Sequence, residues 1–490
     1  MDKIEPKTLK GFRDFLPEEQ IARQKMIEII RKTYENFGFV PLETPALEYS
    51  EILLGKGAGE TEKLIYRFKD KGGRDISLRY DLTVPLARVM AQYKEIKKPF
   101  KRYQISPVWR AENPQKGRYR EFYQCDADIV GVNSMLADAE IISLIYETLN
   151  NLDIKKFLIR INNRKIISSF LKSLGLNEKE NTLTLRVIDK LEKIGEEEVI
   201  KELLKIDLDQ EKAKKILSFM KTEIKDLDDL KKIEDEYPKI TEGVSEMREL
   251  FKAVSIFIPD KNKYQIDLSL ARGFDYYTST IFEVYLTDLK NFGSIAGGGR
   301  YDRLVGLFSQ QDLPAVGFTI GLDRLFAALE ESKLIKKQKS TAKILITFLE
   351  KELLNDYLKM TKDLRNEGLN VFFYFESVKL GKQLKFAAES EINYALIYGS
   401  QEKEKQEIIV RDILKNQQET IKFDELKIIL KFKKEENKAP RGLYRGKKGG
   451  NKRWRRRRRK EKSKKLAKQQ KGTAEKGRAF SCFLVHVLYN

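Results

Sequence analysis

Three short stretches hold side chains whose types and spacing suit chemistry on a phosphorylated ligand. "VWRAENPQKGRYREF" sets Arg110 and Glu112 two residues apart, so that both face one way on the first limb of a hairpin, while Arg120 and Phe122 share a face on the return limb. A guanidinium grips phosphate in a forked, bidentate manner, and an aromatic ring stacks on a base. The loop between them adds Lys116 and Arg118, cations suited to a phosphate backbone. "FTIGLDRLF" places Arg324 near the start of a helix that follows a strand, either as a surface or capping arginine or as a second phosphate clamp. "DLSLARGFDYYTSTIFEVY", Asp267 to Tyr285, gathers Arg272, Asp275, Tyr276 and Tyr277 at a turn by Gly273 between two apolar strands. Taken alone, that last group reads first as a structural ion pair beside core tyrosines with wet hydroxyls. "GGGR", Gly297 to Arg300, fits either a bend or a close approach of backbone to a flat or charged ligand. It matches neither the phosphate-binding loop nor the dinucleotide fingerprint.

The elements that must position these groups follow from periodicity and punctuation. Residues 18–37 form an amphipathic helix ending at Gly38, followed by the extended, proline-broken "FVPLETPALEYSEIL". "ISLRY" is a short strand, and "DLTVPLARVMAQY" turns into a helix. "FKRYQISPVWR" and "REFYQCDADIVG" are two strands of a long hairpin, with a helix after them at about 137–150. Residues 170–250 change texture: Leu183, Val187, Ile188, Leu191 and Ile194 mark one helix face, Val199, Leu203 and Leu204 another, and Lys and Glu fill solvated outer faces. Sheet-like sequence resumes at Lys263. After the polar linker "SKLIKKQKST", strands "KILITFL", "NVFFYF", "YALIYG" and "EIIVRDI" alternate with helices, the last being "FDELKIILKF", in a separate small α/β unit.

Composition narrows the chemistry. The chain holds one histidine, His486, close to its end, so a site built from the remainder has no imidazole as base, nucleophile or metal ligand. Two cysteines, Cys125 and Cys482, make neither a disulfide framework nor a zinc site. Carboxylates, arginines, tyrosines and backbone groups remain, a set suited to catalysis by positioning and charge stabilisation. The net charge of +21 is local: residues 431–490 carry 23 Lys and Arg against 4 Asp and Glu, and the rest carries 72 against 70. Bulk charge therefore says nothing about the ligand of the folded part. No apolar run approaches the ~20 residues that cross a bilayer, and the N-terminus has no apolar targeting core, which fits a cytoplasmic protein.

Three stretches, in this order, resemble the signature motifs of class II aminoacyl-tRNA synthetases: "GFVPLETPALE" with Pro45 is similar to motif 1, "VWRAENPQKGRYREFYQCDAD" to motif 2 and "AVGFTIGLDRLFAAL" to motif 3. "LRYDLTVPLAR" and "ARGFDYYTSTIFE" further resemble the signatures of the histidyl-tRNA synthetase family, in the style of its eukaryotic or archaeal members. Asp323 departs from the glutamate of many class II enzymes. The resemblance, over about residues 7–430, implies an α+β fold: a class II catalytic domain on a mostly antiparallel sheet, a helical insertion and a C-terminal α/β anticodon-binding domain. Its pieces would be residues 1–168 and 251–333 for the catalytic core, 169–250 for the insertion, 342–432 for the anticodon unit and 433–490 for a basic, disordered tail.

The same resemblance implies the reaction: L-histidine and ATP give histidyl-adenylate and pyrophosphate, and histidine then passes to the 3′ end of tRNA(His). Arg110, Arg272 and Arg324 would be catalytic. Asp81, Thr83, Arg110, Gln124, Asp128, Arg272, Tyr276 and Tyr277 would hold histidine. Arg110, Glu112, Arg118, Arg120, Phe122 and Arg324 would hold ATP, with Mg2+ bound mainly through its phosphates. Gln115, Lys116 and Arg118 would meet the tRNA acceptor end, and motif 1 would form a homodimer. A pocket that reads two polar ring atoms discriminates by about 10⁴–10⁵, so no editing domain is expected. The related regulator of ATP phosphoribosyltransferase, which charges no tRNA, is a rival that lacks the anticodon unit and usually loses the arginine loop. The tail is open to three readings: an arm that speeds tRNA capture, a nuclear-targeting-like run, or sequence without a selected role.

Overall fold

The computed structural model describes residues 3–55, 62, 64–115, 117–271 and 276–423. Arg272, Asp275, Lys116, the helix expected at "FDELKIILKF" and the basic tail lie outside the described residues. Two compact units result: Ala22–Lys336 together with the segment to Leu16, and a smaller one that takes in Lys337 onward and Pro17–Ile21.

The strands of the larger unit are β1 (Val40–Pro41), β2 (Leu47–Tyr49), β3 (Arg67–Lys69), β4 (Asp75–Leu78), β5 (Phe100–Trp109), β6 (Glu121–Val130), β7 (Phe157–Asn163), β8 (Glu223–Ile224), β9 (Tyr264–Asp267), β10 (Thr280–Leu286), β11 (Ser294–Arg300) and β12 (Ala315–Gly321). Nine of them form one sheet in the order β1-β5-β6-β12-β11-β10-β7-β9-β8, and β2-β4-β3 form a small antiparallel sheet. The six strands from β5 to β7 pair antiparallel throughout, while β1 joins β5 and β9 joins β7 in parallel.

Alternation along β6 decides which face of the sheet does what. Cys125, Ala127 and Ile129 point into the core, and Gln124, Asp126 and Asp128 occupy the opposite face. The core side is covered by α1 (Pro17–Asn36), whose Ile30 and Tyr34 are fully buried; α2 (Ser50–Leu54) and α3 (Thr83–Gln92) pack elsewhere; α4 (Met135–Asn151) buries Ile141, Ile142, Leu144 and Ile145. Pro17 starts α1 where its missing N–H costs nothing, and the Ser134 hydroxyl caps α4 by accepting from the Leu136 N–H at 3.2 Å.

Parallel β7 and β9 require a long crossover. It consists of α5 (Arg164–Ser173), α6 (Glu178–Ile188), α7 (Leu191–Ile194), α8 (Glu196–Leu204), α9 (Gln210–Met220), β8, α10 (Leu227–Glu236) and α11 (Thr241–Phe257). Val187, Ile188, Val199 and Leu203 are buried as the helical period requires, and their core runs on without a break into that of the sheet. The outer faces carry exposed pairs such as Lys205–Glu202 (2.6 Å) and Lys201–Glu198 (3.1 Å), each of small energetic value. α12 (Leu322–Glu331) follows β12 directly.

The smaller unit holds β13 (Ile344–Ile346), α13 (Leu354–Asn366), β14 (Val371–Phe373), α14 (Leu380–Glu389), β15 (Tyr394–Ile397), α15 (Ser400–Lys405), β16 (Glu407–Asp412) and β17 (Gln417–Lys422). Its sheet has the order β14-β13-β15-β16-β17, parallel in its first three strands and antiparallel in the last two. Strand β17, "QQETIK", has no counterpart among the strands expected from sequence. It is an edge strand with one buried residue, Ile421, so it shows no apolar alternation.

Two local expectations change. The first limb of the hairpin ends at Trp109, so Arg110 and Glu112 stand in the connection rather than on a strand, where the Arg110 N–H to Arg120 C=O bond (2.9 Å) extends the ladder by one step. "GGGR" is not a bend: all three glycines lie in β11 in unbroken register with β12. The two strands flanking Gly273 do not pair with each other; β9 and β10 lie on opposite sides of β7.

Candidate functional site

The return limb of the motif 2 connection brings arginines together. Arg324, the third residue of α12, is half-buried and donates to the Ser294 carbonyl at 2.6 Å. Its guanidinium is held below its ordinary pKa, first by burial and then by the charges of Arg118 and Arg110, with Glu283 and Glu112 opposing. Three guanidinium groups thus share one region with two carboxylates. Gly117 turns the connection at Arg324 with φ +72°, a conformation that favours glycine, while a Cβ there would meet Arg324 Cγ (3.6 Å) and the Phe292 ring (3.7 Å) only in ordinary contact. Arg110 donates through Nε to the Tyr80 carbonyl at 3.1 Å, and its guanidinium carbon lies 5.2 Å from the centre of the Phe122 ring. Arg118 reaches Glu112 at 3.9 Å.

Arg110 also faces a second cluster. Its charge acts on Asp81, whose carboxyl burial pushes up to about 6 against the pull of the Val84 N–H, Arg110 and Arg102. Asp81 Oδ1 accepts from the Val84 N–H at 3.2 Å in the first turn of α3, and its Oδ2 is buried without a partner. Thr83, the first residue of α3, is half-buried. Across the sheet, Ser106, Gln104 and Arg102 of β5 pair with Gln124, Asp126 and Asp128 of β6. Arg102 is fully buried, pairs with Asp128 at 2.8 Å and donates to the Leu82 carbonyl at 3.0 Å. Asp128 Oδ1 also accepts from the Tyr301 hydroxyl. Burial raises the pKa of both Asp126 and Asp128, with Arg102 opposing in each case. Gln124 Oε1 and Asp126 Oδ1 are buried and unpartnered, so with Asp81 Oδ2 they make three acceptor atoms short of a donor. Leaving such atoms bare costs about 1–3 kcal/mol each; Arg102 Nε and Nη1 are buried donors in the same state, so the pocket offers a ligand both acceptors and donors.

Tyr277 and Tyr276 close the other side, 5.0 Å apart edge to face, with Tyr276 5.9 Å from Tyr301. Burial, and then the charges of Asp128, Asp126 and Asp81, hold the Tyr277 hydroxyl in its protonated form. The glycines of β11 and β12 make room for these groups. A Cβ on Gly299 would fall 2.9 Å from Tyr277 Cδ1, and one on Gly317 would fall 1.9 Å from Asp128 Oδ1. What approaches the bare backbone of "GGGR" is thus the chain itself: the Gly317 carbonyl at Gly298 (2.1 Å from a Cβ there), and the Thr280 carbonyl (2.5 Å) and then Tyr277 at Gly299. Arg300, at the end of that motif, is buried and pairs with Asp138 while donating to the Val132 (3.0 Å) and Ser134 (3.1 Å) carbonyls at the start of α4.

The family profile described as histidyl-tRNA synthetase matches residues 11–325, and the one described as anticodon binding domain matches residues 343–433. The chain belongs to the histidyl-tRNA synthetase family. It is 43% identical over 437 residues to the histidine–tRNA ligase of Clostridium tetani, covering 87% of this chain and 99% of that one. It is 45% identical over 405 residues to that of Treponema denticola, covering 81% and 89%. The crystal structure of histidyl-tRNA synthetase from Nostoc sp. PCC 7120 superposes with a TM-score of 0.79 at 36% identity, over 88% of this chain and all of that one. A protein from Bacillus halodurans, described as an ATP phosphoribosyltransferase regulatory subunit/histidyl-tRNA synthetase, shares the fold at 21% identity and a TM-score of 0.65.

Within this synthetase, the residues expected from sequence fall into two adjoining groups joined by Arg110. Glu112, Arg118, Phe122 and Arg324 lie on one side, and Asp81, Gln124, Asp128, Tyr276 and Tyr277 on the other. Gln115 pairs with Arg118 through both backbone bonds (3.0 and 2.8 Å) at the tip of the connection. Arg120 is engaged elsewhere: it donates to the Glu112 (3.1 Å) and Lys10 (3.3 Å) carbonyls. Asp323, the departure from the class pattern, is buried and accepts from Arg13, Arg23 and the Tyr123 N–H, each at 2.7 Å. Arg102, Asp126 and Tyr301 were absent from the expected set. Asp126 could have been found, because it lies midway between Gln124 and Asp128 on the same strand face.

Proposed function

We propose that this chain is a histidine–tRNA ligase that makes histidyl-adenylate from L-histidine and ATP and passes histidine to the 3′ end of tRNA(His). The observation that carries the reading is the meeting of Arg110, Arg118 and Arg324 beside a pocket walled by Asp81, Gln124, Asp126, Asp128 and Tyr277. The carboxylate of histidine attacks the α-phosphorus, the bond to the β-phosphate breaks, and pyrophosphate leaves with the electron pair. That nucleophile is already ionised at neutral pH, so no protein base is required.

The protein's part is to hold two anions together and neutralise charge as it moves. Arg110 and Arg272 grip the α-phosphate side and Arg324 the γ-phosphate. Phe122 stacks on adenine, whose amino group donates to Glu112. Asp81, Thr83 and Gln124 take the α-ammonium, in line with the bare acceptors there. Asp128 and Tyr277 read the two ring nitrogens, and Tyr276 shapes the pocket. Magnesium would be held mainly by ATP, where it would supply positive charge against the phosphates, with Glu112 and Glu283, whose charges act on Arg324, as candidate protein carboxylates.

Gln115, Lys116 and Arg118 meet the acceptor end of the tRNA, and residues 343–433 its anticodon. The ligase works in the cytoplasm as a homodimer through motif 1; Val40, Leu47 and Tyr49 there are each about half exposed, beside a hollow of about 500 Å³ lined by Ile27, Leu42, Tyr103 and Ile105. No described helix is long and apolar enough to cross a membrane. ATP–pyrophosphate exchange with each amino acid in turn tests the reading. Exchange with histidine alone is expected; equal exchange with all, or none with histidine, overturns it.

A further inference from the structure

The segment before α1 takes no part in the roles above, yet it is tied to both halves of the arginine cluster. The Gly11 carbonyl accepts from the Arg120 N–H at 2.8 Å. Gly11 has φ +87°, and a Cβ there would lie 2.7 Å from Arg120 Cδ, so glycine is required on both counts. Two residues on, the Arg13 guanidinium is layered between the rings of Phe15 (4.2 Å) and Tyr119 (3.9 Å). It donates from Nη1 to the Tyr119 hydroxyl at 3.0 Å and from Nη2 to Asp323 Oδ1 at 2.7 Å. Tyr119 follows Arg118 and Asp323 precedes Arg324. Asp323 is held in turn by Arg23, itself buried and 3.7 Å from the Phe15 ring, and by the Tyr123 N–H.

We propose that Arg13 is a positioning residue that clamps the motif 2 connection, through Tyr119, to the first turn of α12, through Asp323, and so fixes Arg118 and Arg324 in one geometry for ATP. The inference rests on the ATP reading of that cluster. Only arginine meets the demand: one planar group must stack between two rings and donate to two acceptors in different directions. An ammonium has three donors but no plane to stack between two rings while it reaches both acceptors. A clamp of this kind acts on where two phosphate-binding charges stand relative to each other, and small misplacements of such groups are costly to rate and binding.

The test is ATP–pyrophosphate exchange on the full chain with ATP and histidine varied separately, alongside thermal unfolding. Arg13→Ala should raise KM for ATP roughly tenfold or more while KM for histidine stays within about twofold. Arg13→Lys should resemble Arg13→Ala rather than the unaltered chain. Tyr119→Leu, which removes the stack and the hydroxyl, should shift KM for ATP in the same direction. The double variant should be no worse than the stronger single one, since both remove one interaction. A merely structural role would lower Tm or the active fraction and leave both KM values in place; that result in Arg13→Ala, or in Tyr119→Leu should the former not fold, overturns the proposal. Failure of the ATP reading would show separately, as absent exchange in the unaltered chain.

Discussion

Gly317→Ala is a small change at a revealing place. Gly317 of β12 pairs with Asp128 of β6, and a Cβ on it would stand 1.9 Å from Asp128 Oδ1 and 2.4 Å from its Cγ. The carboxyl group would have to retreat by about 1.5 Å or more to restore a normal contact. It cannot do so and keep its partners, because Oδ1 accepts from Tyr301 and the group pairs with Arg102 at 2.8 Å. The φ of Gly317 is not positive, so alanine meets no torsional penalty, and the clash falls first on the Asp128 side chain and then on the Ala127 carbonyl at 2.9 Å. Hydrogen bonds to a charged group are worth about 1.5–3 kcal/mol. If Asp128 reads the imidazole, misplacing it should lower kcat/KM for histidine in the exchange assay by roughly 10- to 150-fold. KM for ATP should stay within about twofold, since the arginine cluster is untouched. Crowding costs stability too, about 1–3 kcal/mol, which thermal unfolding will report. A folded variant with an unchanged KM for histidine would refute the assignment of Asp128, and an equal rise in both KM values would mean that the sheet as a whole had shifted.

Arg324→Ala should reduce exchange by at least ~10²-fold while equilibrium binding of histidine stays within about twofold, and near-normal exchange would make Arg324 a structural residue. Replacing Gln115 and Lys116 together by alanine, with Arg118 kept for ATP, should weaken tRNA aminoacylation more than exchange; an equal loss in both would place the connection in adenylation alone. For Asp81 the sign follows from linkage. Its folded pKa is raised from near 4 to about 6, so the folded state binds the proton more tightly, and stability falls as pH rises across that window and stays reduced above it. Asp81→Asn keeps the acceptor for the Val84 N–H, so its Tm advantage without ligand should grow between pH 4 and 6, to the order of 3 kcal/mol, and then level off, while exchange with histidine falls. A pH-independent difference in Tm would show that Asp81 is not desolvated as described.

The elements that carry the site were legible because their sequence patterns coincide with their burial. β6 alternates polar and apolar over "QCDADI", and the structure sends the two sets to opposite faces. α1, α3 and α4 begin and end within a few residues of their expected bounds, since proline and polar caps punctuate them. What was not legible depends on neighbours distant in sequence. Nothing in "GGGR" says that the carbonyls of Gly317 and Thr280, and then the Tyr277 ring, need the room, because a missing side chain does not name what fills the gap. Arg120 has the look of a phosphate ligand, but its partners are carbonyls at positions 10 and 112. Strand β17 was missed because an edge strand with one buried residue gives no period to read.

The site also explains how it works with no histidine side chain among the described residues. Its working groups are charges held out of water, and the cost of holding them is visible before any ligand arrives: Asp81, Asp126 and Asp128 are all pushed toward their neutral forms by burial, and Arg324 is pushed the same way by burial and two like charges. Each imbalance has the sign that its proposed ligand would correct. The ammonium and ring N–H groups of histidine would satisfy bare carboxyl and amide oxygens, and phosphate oxygens would separate crowded guanidinium groups. Binding free energy is thus spent relieving strain that the fold has stored on each side of Arg110. It follows that neutralising one of the three carboxyl groups, as in Asp126→Asn, should stabilise the ligand-free fold and weaken histidine binding together. A variant that lost stability along with binding would show that these acids support the fold rather than wait for a ligand.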